Sequence, residues 1–286
     1  EWLSLEKNFG FAYAVNRGVE MVESEYVAIL NNDTVLDPNC LAELEDALED
    51  PTCCFASPLL LSAQKPGRID GTWDLLSRSA CPHRALFGAP ASHPEASRPR
   101  DIQFAPMTAS LFRTSVFREL GGLDEGYGNY LEDVDFCLRA ALAGHRGRYV
   151  PSATALHVGS ATLGAWSARS TYWNARNQLL LVARHYPTRI LRQWWRPVLT
   201  GQLLYLLLAA RHAHLFAAIR GKAEILLSWR NWRSQFRPHP DTAHLLEQIL
   251  NQSDREIASL TRSGETRSSF WRLYFRLNRS PEARAC

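Results

Sequence analysis

The sequence predicts an α/β protein, with a mixed sheet flanked by helices over residues 1–164 and a mostly helical region over 165–286. Three observations carry that expectation. Apolar runs of strand length alternate with segments whose apolar residues recur at helical spacing, the pattern of a layered α/β fold. With 286 residues and 46% hydrophobic content, the chain can bury a full core. From Arg189 to Arg237 the texture changes to Trp, Leu and Arg, which marks a second region.

Phe11 to Val22 has apolar residues at 11, 12, 14, 15, 19 and 22, the spacing of a helix entered through Gly10. A glycine there permits a positive-φ turn or close approach of a ligand. Tyr26–Leu30 is a continuous apolar run and predicts a buried parallel strand. Asn31, Asn32 and Asp33 fall just past its carboxyl end, where open α/β sheets bind ligands. Asp37-Pro38 opens a helix, aspartate as cap and proline as first residue, with Leu41, Leu44, Ala47 and Leu48 as its buried stripe. Phe55–Leu61 is the next strand. Residues 64–101, punctuated by proline, have no regular period; Trp73, Asp74, His83 and Arg84 lie there as surface residues or acceptor contacts. Ile102–Phe112 returns to strand character. Thr114 caps a short helix that stops at Gly121-Gly122.

The chemistry is concentrated between Tyr130 and His157. Glu132, Asp133 and Asp135 crowd the first turn of a short helix, where the helix dipole favours negative charge and helps keep a general base ionised. Asp133 and Asp135 are two apart and diverge on a helix, so at most one is the base. His157 ends the following apolar run. Asp33 supplies the hard oxygen ligand that Mg²⁺ or Mn²⁺ takes beside substrate phosphates. Tyr127 and Tyr130 are sugar platforms or core residues. Gly159–Gly164 is small and polar, as a lid would be, and Ser170–His185 is a long helix carrying Arg176, a phosphate clamp or a helix-surface residue.

Asn8-Phe9-Gly10-Phe11-Ala12-Tyr13-Ala14-Val15-Asn16-Arg17-Gly18, then Asn31-Asn32-Asp33, Gly121-Gly122-Leu123-Asp124-Glu125 and Glu132-Asp133-Val134-Asp135, followed by His157, stand in the order of the family 2 glycosyltransferases of GT-A fold. The chain resembles the rhamnosyltransferase-like members over roughly Asn8 to Asn177. That resemblance implies an inverting, metal-dependent transfer from a nucleotide-diphosphate sugar (dTDP-rhamnose or a UDP-sugar) to a glycan or lipid-linked acceptor. It implies Asp133 as base with Glu132 beside it, and Asn8, Gly10, Asn16, Asn31, Asn32, Asp33 and Arg176 as donor contacts. Asp33 and His157 would hold the metal, and Asp135 and Tyr130 would meet the acceptor. It also implies a first βαβ unit before Asn8, so the chain is expected to be N-terminally incomplete. The family's small glycine near the acceptor is replaced by Met107-Thr108-Ala109-Ser110.

The six cysteines form no Cys-x-x-Cys pair, and with no leader segment they predict thiols in a reducing, cytoplasmic compartment. The net charge of +3 divides into −6 before residue 187 and +9 after it, which points to a polyanionic partner. No nucleic-acid motif accompanies it, so peripheral membrane contact through basic, tryptophan-bearing helices is the expectation, with a helical bundle or homo-oligomer contact as the alternative. The competing functions are a non-catalytic nucleotide-sugar-binding or scaffold subunit and a nucleotidyltransferase.

Overall fold

The computed structural model describes residues 2–159, 166–235, 242–262 and 268–278. The chain divides into two compact units, residues 1–74 with 84–161, and residues 75–83 with 162–286. The expected lid falls largely outside the described residues.

In the first unit α1 (Phe11–Glu20) precedes β1 (Tyr26–Leu30), β2 (Thr34–Leu36) and α2 (Cys40–Ala47). Asp37 and Pro38 stand before α2 rather than in it. Asn39 is the cap residue, and the Asp37 carboxylate accepts the Asn39 N–H at 3.1 Å. Leu44 and Leu48 are buried against β-strand residues, whereas Leu41 is exposed. Next come β3 (Cys53–Ser62) and β4 (Ile69–Gly71), then β5 (Asp74–Leu76) and β6 (Pro82–Arg84), most of whose residues belong to the second unit, and then β7 (Arg100–Ile102) and β8 (Ala109–Arg113) of the first. Four strands of three residues each thus occupy the stretch without sequence periodicity. Helix α3 (Thr114–Glu119) begins at Thr114, with Arg113 as its cap residue. Helix α4 (Glu132–Leu142) and β9 (Arg146–His157) complete the unit.

The main sheet runs β1-β8-β3-β9-β2, with β4 on β3 and β7 on β9. β3 and β9 are parallel, and β1 reaches them through the antiparallel β8, so β1, β3 and β9 point the same way. β1 is not the buried strand with parallel partners that its apolar run predicts. It is an edge strand whose only partner among the described residues is β8; Val27 and Ile29 face inward while Leu30 is exposed. An unbroken apolar run five residues long does not distinguish edge from centre.

Two internal clamps hold the turn that leads into α4. The Asn16 amide donates to the Leu123 carbonyl and accepts the Leu123 N–H, both at 2.8 Å. Gly122 (φ +70°) lies against it; a Cβ there would sit 2.6 Å from the Asn16 oxygen. The Arg139 guanidinium binds Asp135 at 2.9 Å and the carbonyls of Leu120 and Gly122. Replacing Asn16 by Ala strips a partly buried N–H and C=O of their partners, and is expected to lower unfolding stability by about 1–3 kcal/mol in a denaturant titration.

The second unit is helical: α5 (Ala168–His185), α6 (Thr188–Arg211), α7 (Leu215–Leu227), α8 (Trp229–Gln235), α9 (Thr242–Arg262) and α10 (Ser269–Leu277). Ser167 opens α5 with a capping box to Ser170. Arg78 pairs with the buried Asp254 of α9 at 2.5 Å, and Gly201 of α6 packs against Ser79 so closely that a Cβ would overlap it. No described helix is long and apolar enough to cross a membrane.

Candidate functional site

The carboxyl ends of β1, β3 and β9 come together, and the chemistry-bearing residues of the first unit lie at or near them. Asn31 (half-buried) donates its N–H to the Thr108 carbonyl, which turns the chain so that Asp33 follows at the strand end. β2 then pairs Thr34 with His157, bringing Asp33 beside the last residue of β9. His157 Nε2 stands 3.3 Å from Asp33 Oδ1, and His157 Nδ1 stands 2.7 Å from Asp70 Oδ2. With Nδ1–H donated to Asp70, the lone pair on Nε2 faces a carboxylate oxygen. An imidazole nitrogen beside a carboxylate oxygen is a donor set that Mn²⁺ or Mg²⁺ accepts. Among the described residues no third His, Cys, Asp or Glu joins them in a ligating group, which leaves further positions to water or substrate oxygens.

Asp70 was not singled out by the sequence, and Arg84 was read only as a surface residue or acceptor contact. Asp70 sits on β4, inside the irregular stretch, and no spacing distinguishes it from other acids there. Arg84 Nη1 lies 3.5 Å from Asp70 Oδ2, and its Nε lies 3.9 Å from Asp74 Oδ1. The Arg84 charge also acts on Asp133. A single guanidinium therefore stands beside both Asp70 and Asp74.

The acidic start of α4 is strained. Tyr130 (φ +68°) and Leu131 (φ +67°) are consecutive non-glycine residues in the left-handed region, a conformation that costs on the order of 1–3 kcal/mol each and concentrates at functional sites. Asp133 is half-buried and its Oδ1 accepts the Val134 N–H at 2.8 Å. Burial pushes its carboxyl above the ordinary range, opposed by that N–H and by Arg84. Glu132 is driven well above its usual value, by burial first and the neighbouring Asp133 charge second, and its buried Oε2 has no hydrogen-bond partner. Burial lifts Asp74 to about 7.

Several expected ligand contacts are occupied internally. Asn16 is bonded to the Leu123 turn, because its amide matches a backbone N–H and C=O pair. Asp135 is fully buried against Arg139. Arg176 is neither exposed nor open: it is buried in the second unit, bonded to Glu224 at 2.8 Å and to Asn177, with Trp173 and Trp232 on its guanidinium. Trp73, Asp74 and His83 are buried rather than surface residues, and Tyr127 is a core residue. Tyr130 remains half-buried at the α4 entrance, and Asn32 is exposed. Asn8 receives the Gly10 N–H at 2.9 Å, and Gly10 (φ +98°) packs so closely on Gly128 that a Cβ would meet its carbonyl at 2.8 Å. A groove of about 500 Å³ between α1 and β1, lined by Val15, Val19, Val27 and Ile29, includes Asn31 and Asn32.

The chain is 30% identical over 176 residues to the pre-mycofactocin glycosyltransferase of Mycobacterium tuberculosis, an alignment covering 62% of this chain and 36% of that protein. It is 25% identical over 234 residues to the N-acetylglucosaminyl-diphospho-decaprenol L-rhamnosyltransferase of the same species, covering 74% of this chain and 75% of that one. The crystal structure of GalNAc-T7 with UDP, GalNAc and Mn²⁺ superposes with a TM-score of 0.53 at 14% identity over 78% of this chain and 45% of that one, which establishes the shared GT-A fold. The family model for glycosyl transferase family group 2 matches residues 26–229, from the first strand of the sheet into the helical unit, and the chain belongs to that family.

Proposed function

We infer that this chain is an inverting, metal-dependent glycosyltransferase that moves a sugar from a nucleotide-diphosphate donor to a hydroxyl of a glycan or lipid-linked acceptor. The observation that carries the reading is the Asp33–His157–Asp70 group, with His157 3.3 Å from Asp33 and 2.7 Å from Asp70, in the same unit as the acidic α4 start that carries Asp133. The two supply what such a transfer needs, a seat for the diphosphate and a base for the acceptor. The rhamnosyltransferase relative, of which the chain spans 75%, makes dTDP-rhamnose the first donor and a polyprenyl-diphosphate-linked sugar the first acceptor to test.

Asp33 and His157 would hold Mg²⁺ or Mn²⁺. The ion supplies Lewis-acid stabilisation of the negative charge that develops on the leaving diphosphate. Asp133 removes the acceptor hydroxyl proton as that oxygen attacks the anomeric carbon from the face opposite the diphosphate. Burial and the neighbouring Asp133 charge both disfavour a second negative charge on Glu132 at the α4 start. Arg84 tempers the charge of Asp70, Asp74 and Asp133 without neutralising the base.

The test is nucleotide release across a panel of dTDP- and UDP-sugars, with and without Mn²⁺ and with the polyprenyl-linked acceptor. One donor should turn over, and only with metal. Turnover that ignores chelator would contradict the reading. A pH profile adds a sign. Asp133 must be ionised to act, and its pKa is raised, so kcat/KM falls as pH drops through a value above the roughly 4 of an ordinary aspartate. An acid limb at or below that ordinary value would remove Asp133 as the base.

A further inference from the structure

We propose that the outward face of α6 docks on an anionic lipid surface. The inward face of the helix carries Ile190, Trp194, Gly201, Gln202, Tyr205 and Ala209, all buried in the second unit. A helix packed in this way ordinarily turns polar side chains to water. α6 does not. Trp195, Leu199, Leu203 and Leu207 recur every fourth residue and are 58%, 50%, 51% and 65% exposed. Helical spacing keeps them on one stripe, continued past the break at Trp194 and Pro197. Exposed arginines stand at both ends of it, Arg192 and Arg196 beside Trp195, and Arg211 beyond Leu207. None of the three pairs with a carboxylate among the described residues, and the sequence of α6 contains no acid.

An apolar centre bounded by guanidinium groups, with an indole at one end, is the composition of helices that lie in a membrane interface. The charge also discriminates between occupants. A second copy offering the same face across a two-fold axis would set unpaired arginines against arginines. An anionic headgroup layer meets them with the opposite sign, and the excess of +9 beyond residue 187 adds to that attraction. The helix is not apolar enough to span, so docking would be in the plane of the interface. The inference is independent of the donor and of the transfer reading.

The test is co-sedimentation of the full chain with phosphatidylcholine vesicles, made with and without phosphatidylglycerol. Binding should require the anionic lipid and weaken as salt is raised. Replacing Arg192, Arg196 and Arg211 together by Gln should lower binding on the order of 100-fold, at about 1 kcal/mol per basic residue near the surface. Replacing Leu199, Leu203 and Leu207 together by Gln should also lower it, leaving the salt dependence of what remains. These are exposed positions, and unchanged circular dichroism would exclude misfolding as the cause. Equal binding to neutral vesicles, or binding unchanged in both triple variants, would overturn the proposal. So would a solution dimer dissolved by the leucine variant, which would make a second copy the occupant.

Discussion

Asp133→Asn should lower transfer by about 10²–10⁴-fold, the usual contribution of a positioned general base. The substitution keeps size and shape, and the Asn oxygen can still accept the Val134 N–H that Asp133 accepts at 2.8 Å. It should not unfold the protein. An aspartate whose folded pKa is raised above its unfolded value destabilises the fold at pH above both, because folding then disfavours the ionised form. Removing that charge relieves the cost and also relieves Glu132, whose carboxyl the Asp133 charge pushes upward. The thermal midpoint of Asp133→Asn at neutral pH should therefore equal or exceed that of the unsubstituted chain. Lost transfer together with a lowered midpoint would mean that Asp133 is structural. Retained transfer would mean that another group takes the proton.

Asp70→Asn is expected to act through the metal pair instead. The Asp70 carboxylate fixes the His157 ring through Nδ1 and so directs Nε2 toward Asp33. Partners of this kind set the tautomer and basicity of a ligating imidazole, and their loss typically costs 10–100-fold in metal affinity. Mn²⁺ affinity, read directly by electron paramagnetic resonance without any sugar present, should fall by roughly that factor. The nitrogen chemical shifts of His157 should show a changed tautomer balance. Unchanged affinity would reduce Asp70 to a partner of Arg84.

The sequence exposes some of this arrangement and hides the rest for identifiable reasons. Asp33, Asp133 and His157 stand out in the sequence because they lie at or next to the ends of regular elements, and element ends in α/β sheets are where ligands bind. The limits of β1 and the existence of α4 followed from short-range periodicity. The edge position of β1 did not, since it depends on the pairing with β8 some 80 residues later. Asp70 and the pairing of Arg84 with it were hidden for the same reason. Both residues occupy three-residue strands that leave no pattern, and their importance comes from neighbours distant in sequence. Asn16, Asp135 and Arg176 look like ligands in one dimension because they are polar and sit within motifs. In three dimensions their side chains serve the Leu123 turn, Arg139 and Glu224.

The central claim is a division of labour, with Asp33 and His157 seating the donor diphosphate through a divalent ion and Asp133 acting only on the acceptor. The most direct test is calorimetric titration of a nucleoside diphosphate into the full chain, with Mn²⁺ and with chelator, for the unsubstituted protein, Asp33→Asn and Asp133→Asn. The account predicts binding that needs Mn²⁺, is lost in Asp33→Asn and survives in Asp133→Asn. Binding indifferent to Mn²⁺, or lost equally in both variants, would contradict it.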